Sequence, residues 1–356
     1  MFQKTTAKVQ FWLYRLSTVL KSLKTLYCLP QEKVDAFMES YTIYDHDWAD
    51  EDELIEKMGA NYYKEIQKKL VDYYSVLNHL CSIGQVEKMY IPPAIDLSKS
   101  IMENQALFER KMCGDLGVKK GSRVLDIGCG RGRIASHVAS FTGANVTGLN
   151  IDSNQLESAR RFIKGNGLTE NCAFVHADLN HHPFPFADNS LDAVYEVQAL
   201  SLCKNLNALF KEVYRILKPG GCVACLDWAR LPNYSPENPH HADLMRRVKP
   251  LIGAIGTPSI EEYVKALEES GFQVLINENA SIDGLQAPLI ENADKFFTRV
   301  TRLINTLVKC RLLPKHFKTL FDRLVLDGPA FVEADRLRIS TSCHYIVAKK
   351  IENHRN

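Results

Sequence analysis

The chain has 356 residues, enough for roughly two domains or one elaborated domain. Hydrophobic residues make up 46% and charged residues 24%, which excludes a disordered or fibrous chain. The 44 basic residues against 42 acidic leave a formal charge of only +2, so no nucleic-acid partner is expected. Ten cysteines at irregular positions read as reduced, intracellular thiols. Cys222 and Cys225 spell CxxC inside an apolar strand-like run with no second ligand pair, and no metal site is expected.

Residues 1–30 are basic and amphipathic. Lys4, Lys8, Arg15, Lys21 and Lys24 occur before the first acid, Glu32, while Val9, Trp12, Leu13, Leu16, Val19, Leu20, Leu23, Leu26 and Tyr27 recur at helical spacing. Three readings stand: a helix lying on an anionic membrane, a mitochondrial transit peptide, or a helix packed on the body. No apolar run reaches the length of a membrane span. The expected location is cytoplasmic, with peripheral contact at the endoplasmic reticulum membrane as an option.

Residues 31–112 read as a helical cap with an acidic patch at Asp45–Glu56 and tyrosines at 62, 63, 73 and 74. Strands and helices then alternate through 113–277. The expected strands start at Arg123, Asn145, Cys172, Leu191 and Cys222, with helices ending at Ser140 and covering 155–166 and 206–217. Lys218-Pro219-Gly220-Gly221 signals a stop and turn. This alternation predicts an α/β fold with a doubly wound, parallel Rossmann-like sheet and ligands at the carboxyl ends of its strands. Residues 278–356 read as a separate α+β domain that closes on a strand at Cys343–Ala348. Within it, 295–323 carries eight cations and one acid, Asp322, beside an apolar stripe, as in a lid bordering a lipid or a solvated helix.

The sharpest motif is Val124-Leu125-Asp126-Ile127-Gly128-Cys129-Gly130-Arg131-Gly132. Glycines between a strand and its helix let backbone approach a ligand closely. Asp126 would repel a pyrophosphate and accept hydrogen bonds from an ammonium group, which points to an amino acid joined to a nucleoside. The motif resembles motif I of the class I S-adenosylmethionine-dependent methyltransferases. That resemblance implies S-adenosylmethionine as cofactor, held by Asp126, Gly128, Cys129, Gly130, Gly132, Asn150, Ile151, Asp178, Leu179 and Glu196. Asn150 would meet the ribose hydroxyls and Asp178 the adenine.

Over residues 70–350 the chain further resembles the sterol C-methyltransferases. The resemblance rests on Tyr73-Tyr74, Val146–Asn150, Asp192–Tyr195, Asp227-Trp228, Tyr234, Pro236, Gly271–Val274 and the close Tyr345–Lys350. It implies a sterol substrate, with Tyr73, Tyr74, Tyr195 and Trp228 near it and Glu196 and Asp227 as candidate catalytic carboxyls. The family's C-24 enzymes carry an aromatic block of the type Tyr-Glu-(Tyr/Phe)-Gly-Trp-Gly, where this chain reads Cys81-Ser82-Ile83-Gly84-Gln85-Val86. Their fourth strand continues Ile-Glu-Ala-Thr-Cys-His, where this chain reads Val197-Gln198-Ala199-Leu200-Ser201-Leu202. Side-chain methylation at C-24 passes through a carbocation, which aromatic faces stabilise and an acid or histidine can deprotonate. The departures resemble the nematode-type branch that methylates the sterol nucleus, so the expectation is C-4 of a 3-oxo-sterol. The alternatives are C-24 methylation, a phosphoethanolamine-type N-methyltransferase, and a non-catalytic sterol- or lipid-binding protein. Oligomeric state is not legible.

Overall fold

The computed structural model describes residues 16–84 and 86–351. In chain order the helices begin with α1 over residues 16–27, α2 (Gln31–Ser40), α3 (Glu51–Met58), α4 (Tyr62–Ile83) and α5 (Ile101–Asp115). The alternating region follows: β1 (Arg123–Ile127), α6 (Arg133–Thr142), β2 (Asn145–Asn150), α7 (Ser153–Gly165), β3 (Cys172–His176), β4 (Leu191–Val197), α8 (Leu206–Ile216) and β5 (Leu217–Arg230). The chain ends with α9 (Pro239–Ile252), α10 (Ile260–Glu269), β6 (Phe272–Asn279), α11 (Ala287–Lys309), α12 (Lys315–Val325), α13 (Gly328–Arg336) and β7 (Ser340–Lys350).

Two units divide these elements. One comprises residues 1–46, 50–89 and 290–329; the other comprises 47–49, 90–289 and 330–356. This differs from the sequential domains expected at 31–112, 113–277 and 278–356. Residues 90–112 belong with the sheet, and the C-terminal stretch is shared between the units, because its strand completes the sheet while 290–329 packs with the N-terminal helices.

The sheet unit has seven strands in the order β3-β2-β1-β4-β5-β7-β6. β7 pairs antiparallel with both β5 and β6, so the sheet is parallel except for that one inserted strand. Strand β5 starts earlier than its apolar run suggested. Leu217 pairs with Leu191 and Cys222 with Ala193, and a bulge absorbs the Lys-Pro-Gly-Gly between them. One core cluster, with Phe108, Val138, Ile163 and Tyr195, lies under α5, α6 and α7. The other, with Val194, Leu209, Val213, Tyr263 and Leu267, lies under α8 and α10. Strand order reverses between β1 and β4, which are direct neighbours, so a crevice opens at their carboxyl ends.

The helical unit is built around an aromatic core. Tyr73 is buried among Phe37, Tyr41, Tyr44 and Tyr74, and the Arg323 guanidinium stands 3.8 Å from the centre of the Tyr41 ring. Of the three tyrosines read as substrate contacts, Tyr73 is a packing residue in this core. Gly84, the one glycine retained from the C-24 block, lies directly beneath the Phe297 ring, and Gln85 lies outside the described residues. In α1, Ser22 and Leu26 are buried and His316 Nε2 hydrogen-bonds the Leu26 carbonyl oxygen at 2.8 Å. The described half of the N-terminal segment thus packs on its unit; residues 1–15 lie outside the described residues.

Candidate cofactor and active site

Sequence and geometry agree most closely at the turn after β1. Gly128, Gly130 and Gly132 have φ of 74°, 51° and 68°, in the region where a side chain is strained. The N–H groups of Gly128 and Cys129 both donate to the Leu149 carbonyl oxygen, at 2.9 and 3.0 Å, tying the turn to β2. The three glycines do different work. A Cβ on Gly132 would meet Phe174 at 2.8 Å, and one on Gly128 would meet the Ala199 methyl at 2.5 Å. A Cβ on Gly130 would meet only the end of the flexible Gln155 side chain at 3.1 Å. Gly130 therefore gives the turn its open side. The Cys129 thiol is buried beneath the turn, close to the position a Cβ on Gly148 would take, which leaves only its backbone for a ligand.

Asp126 is 2% exposed, and its Oδ2 has no hydrogen-bond partner. Burial, with the Glu109 carboxyl nearby, pushes its carboxyl up to about 8, against the opposing pull of Tyr195 and the Ala135 N–H. Tyr195 faces the same side of the sheet as Asp126 and is fully buried. A buried carboxyl with one unpartnered oxygen beside an open glycine cradle is the arrangement an amino-acid ammonium would complete.

Further along the same edge, Asn150 Oδ1 accepts from the Asp152 N–H at 3.0 Å, and Asp152 caps α7 by accepting from the N–H groups of Asn154 and Gln155. The Ile151 carbonyl oxygen is engaged by His176 Nε2 at 2.8 Å. Asp178 accepts from the Asn180 N–H at 2.9 Å and pairs with His181 Nδ1 at 2.8 Å, while Leu179 is packed against the core. These residues line up at the ends of β2 and β3, as the sequence pattern implies, and the donor set fits S-adenosylmethionine.

Glu196 points the other way. It lies on the α8–α10 side with Asp227, and both are buried. Glu196 Oε1 accepts from the N–H groups of Ala199 and Leu200. The Asp227 carboxylate accepts from the Leu200 N–H and the Trp228 N–H, each at 2.6 Å. Burial raises the Glu196 carboxyl well above its ordinary range, and the adjacent Asp227 raises it further. The pair holds the backbone turn after β4. Trp228 is buried in β5, with its carbonyl oxygen accepting from the Tyr263 hydroxyl at 3.1 Å.

Two contributors, Trp48 and Gln286, escaped the sequence reading, which noted Gln198 only as a departure from the family. Trp48 Nε1 donates to the Ser201 carbonyl oxygen at 3.0 Å, and the amides of Gln198 and Gln286 bind the backbone around Ile91. A lone glutamine or tryptophan carries no motif, so only the fold reveals them. Among the described residues, no group of His, Cys, Asp or Glu could hold a metal. The Cys222 and Cys225 thiols are raised by burial, as inert core residues are.

A seven-stranded sheet with this glycine turn and edge defines a class I methyltransferase. A methyltransferase domain model matches residues 125–225. A sterol 24-C-methyltransferase of Gibberella zeae is 30% identical over 292 residues, covering 76% of this chain and 73% of the relative. A cycloartenol-C-24-methyltransferase of Arabidopsis thaliana is 28% identical, covering 83% and 90%. Among solved structures, a putative sarcosine dimethylglycine methyltransferase from Galdieria sulphuraria superposes with a TM-score of 0.61 at 17% identity, covering 78% of this chain and 98% of that one. The mycolic acid cyclopropane synthase CmaA1, solved with SAH and CTAB, gives 0.61 at 16% identity, covering 74% and 90%. The chain belongs to the S-adenosylmethionine-dependent sterol methyltransferase family.

The Asp126 geometry sets a pH dependence. The folded chain keeps a proton that the unfolded chain releases near pH ~4, so this residue lowers stability progressively as pH rises from about 4 to about 8. An ammonium placed against it favours the ionised form. Binding of S-adenosylhomocysteine near neutral pH is therefore expected to release up to one proton, read by calorimetry in buffers of different ionisation enthalpy. Asp126→Asn should abolish that release and weaken binding by about 1.5–3 kcal/mol, the worth of a hydrogen bond to a charged group. It should also raise the thermal midpoint of the ligand-free protein at pH ~8. Unchanged proton release in the variant rules out this role for Asp126.

Proposed function

We propose that the chain transfers a methyl group to a ring carbon of a sterol, most specifically C-4 of a 3-oxo-sterol. S-adenosylmethionine, when bound, supplies the electrophilic methyl on its sulfonium. In this reading Asp126 meets the ammonium, the backbone of the 128–132 turn the amino-acid moiety, Asn150 the ribose, and Asp178 and Leu179 the adenine. The chain's main task is then to align a carbon nucleophile with that methyl and to exclude water.

The observation that carries the C-4 reading is the state of Gln198. It stands where the C-24 enzymes have an acid, and its amide is fully engaged: Nε2 donates to the carbonyl oxygens of Ile91 and Ser342 at 2.8 and 2.6 Å, and Oε1 accepts from the Ile91 N–H at 3.0 Å. A neutral, occupied amide cannot take a proton from a side-chain cation, and Leu202 replaces the family histidine. Enolate chemistry at C-4 has no need of aromatic shelter for a cation; it needs one base and a donor for the oxyanion. The C-24 reading is favoured by the names of the relatives above, and the same assay separates the two. Purified protein is incubated with labelled cofactor and, separately, with a 3-oxo-sterol and a sterol bearing a side-chain alkene. Mass-spectrometric fragmentation should place the new methyl on the ring; a methyl on the side chain would establish C-24 instead.

Glu196 has a supporting role in this reading. A buried carboxyl whose Oε1 is held by two backbone N–H groups serves to fix the turn after β4 rather than to meet a substrate. Glu196→Gln should therefore keep the turn and lower kcat by less than about tenfold, whereas loss of a general base typically costs about 10²–10⁴-fold. A larger loss with unchanged cofactor affinity would return Glu196 to the role of base.

We further propose that the helical unit contacts membrane. Leu16, Leu20 and Tyr27 are exposed and fall within about 40° of one another on α1, with Lys21 and Lys24 beside them. Phe296 and Leu303 are exposed on one face of α11, with Arg299 and Arg302 adjoining. No described helix is long and apolar enough to cross a membrane, so the contact is peripheral. Because Leu26 is buried, point changes test this better than truncation. The triple variant Leu16→Ser, Leu20→Ser, Tyr27→Ser should keep its thermal midpoint and lose about tenfold or more in sedimentation with phosphatidylserine vesicles. Unchanged vesicle binding would remove this face from the proposal.

A further inference from the structure

Two buried amides meet one backbone segment at the carboxyl edge of the sheet. Gln198, just past β4, has φ of 56°, a conformation that a non-glycine residue holds only when its surroundings impose it. Its main chain continues the sheet, the N–H donating to the Leu226 carbonyl oxygen at 2.8 Å. Its side chain makes the three bonds to Ile91 and Ser342 already described. From the other side comes Gln286, which is fully buried. Its Nε2 donates to the Pro92 carbonyl oxygen at 2.9 Å, and its Oε1 accepts from the Ser342 hydroxyl at 3.0 Å. The same segment is pinned at its far end, where the Ala94 N–H donates to Ser281 Oγ at 3.0 Å and the Ala94 carbonyl oxygen accepts from Ile282 at 2.9 Å.

We infer that Gln198 and Gln286 form one amide clamp, which holds residues 91–94 as a strap against β4 and β7 and makes Gln198 a positioning residue for methyl transfer. The route to the cofactor turn is short. Ala199, the next residue, packs so closely over Gly128 that a Cβ there would stand 2.5 Å from its methyl. The strained backbone at 198 therefore fixes two things at once: the amide toward the strap and the Ala199 methyl toward the glycine turn. An amide is required because the site presents an N–H donor and two carbonyl acceptors together, and only a group that both donates and accepts satisfies all three.

The placing of the sterol near this strap rests on the proposed function; the clamp itself does not. The test is hydrogen exchange on the full chain, with S-adenosylhomocysteine bound, read on peptides covering 88–96. Gln198→Met, which keeps the length and removes the bonds, should speed exchange of the Ile91 amide by about tenfold to a hundredfold, the range expected for losing one to two net hydrogen bonds. Peptides from β1 and β2 should be unchanged. Gln286→Met should do the same, and the double variant should add little to either, since a single clamp is already open. In turnover, Gln198→Met should raise the sterol KM about tenfold while cofactor affinity stays within about threefold. Unchanged exchange at Ile91 in Gln198→Met, or fully additive effects in the double variant, overturns the clamp. If Gln198→Met does not fold, Gln198→Asn, which retains the amide one methylene short, is measured the same way against the same outcomes. A wild-type protein that methylates no sterol would overturn the proposed substrate, while the exchange result would still decide the clamp.

Discussion

The carboxyl edge of the sheet depends on one constraint: the backbone turn at residues 198–202 must be held with its N–H groups aimed at two buried carboxyls. Glu196 and Asp227 take the N–H groups of Ala199 and Leu200. Burying two acids side by side is unfavourable unless a proton is retained and the remaining lone pairs find donors. Burial raises both carboxyls, and the backbone N–H groups of Ala199, Leu200 and Trp228 supply donors to Glu196 Oε1 and to both oxygens of Asp227. The turn's own carbonyl oxygens are then free to organise their neighbours. Ser201 accepts from Trp48 Nε1 and from the Gly256 N–H at 2.8 Å, and Leu202 accepts from Asn180 Nδ2 at 3.0 Å. Through Asn180 the turn reaches the Asp178 loop, and through Ala199 it reaches Gly128. The two ends of the cofactor site are thus referred to a single stretch of backbone.

This arrangement also explains why the two acids read together as candidate catalysts separate from Asp126 in space. Along β4, Tyr195 and Glu196 face opposite sides of the sheet. Tyr195 goes to the side that holds Asp126, and Glu196 to the side under α8 and α10. Asp126 keeps an unpartnered oxygen beside the open glycine turn, whereas Glu196 commits Oε1 to two backbone N–H groups and lies against Asp227. The first stands next to a turn that a ligand can approach; the second is tied to the backbone after β4.

Local patterns made much of the fold legible. The strand–glycine–helix motif at 124–132, the limits of β4 and α8, and the acids and amides closing β2 and β3 all follow from short-range rules of burial period and turn chemistry. What escaped was non-local. The order that places β7 between β5 and β6 is carried by pairing partners more than a hundred residues apart for β5, so the C-terminal stretch looked like a domain of its own. The bulge that lets β5 run through Lys218–Gly221 conceals a strand behind a turn signal. Tyr73 could line a ligand site or a core with equal ease from its spacing, and only its aromatic neighbours decide for the core.

Gln198 shows how a substitution can change chemistry and architecture together. The family's acid at this position is a potential proton acceptor; the amide here is a donor and acceptor used up on main chain. A carboxylate in the same place would face the carbonyl oxygens of Ile91 and Ser342 with no proton to offer either. It would remove the donor that both now share and add a buried negative charge against them. One residue therefore cannot both fasten residues 91–94 in this way and serve as an ionised base. The chain has the fastened form, and the proton acceptor for any reaction at this edge must be found among other groups.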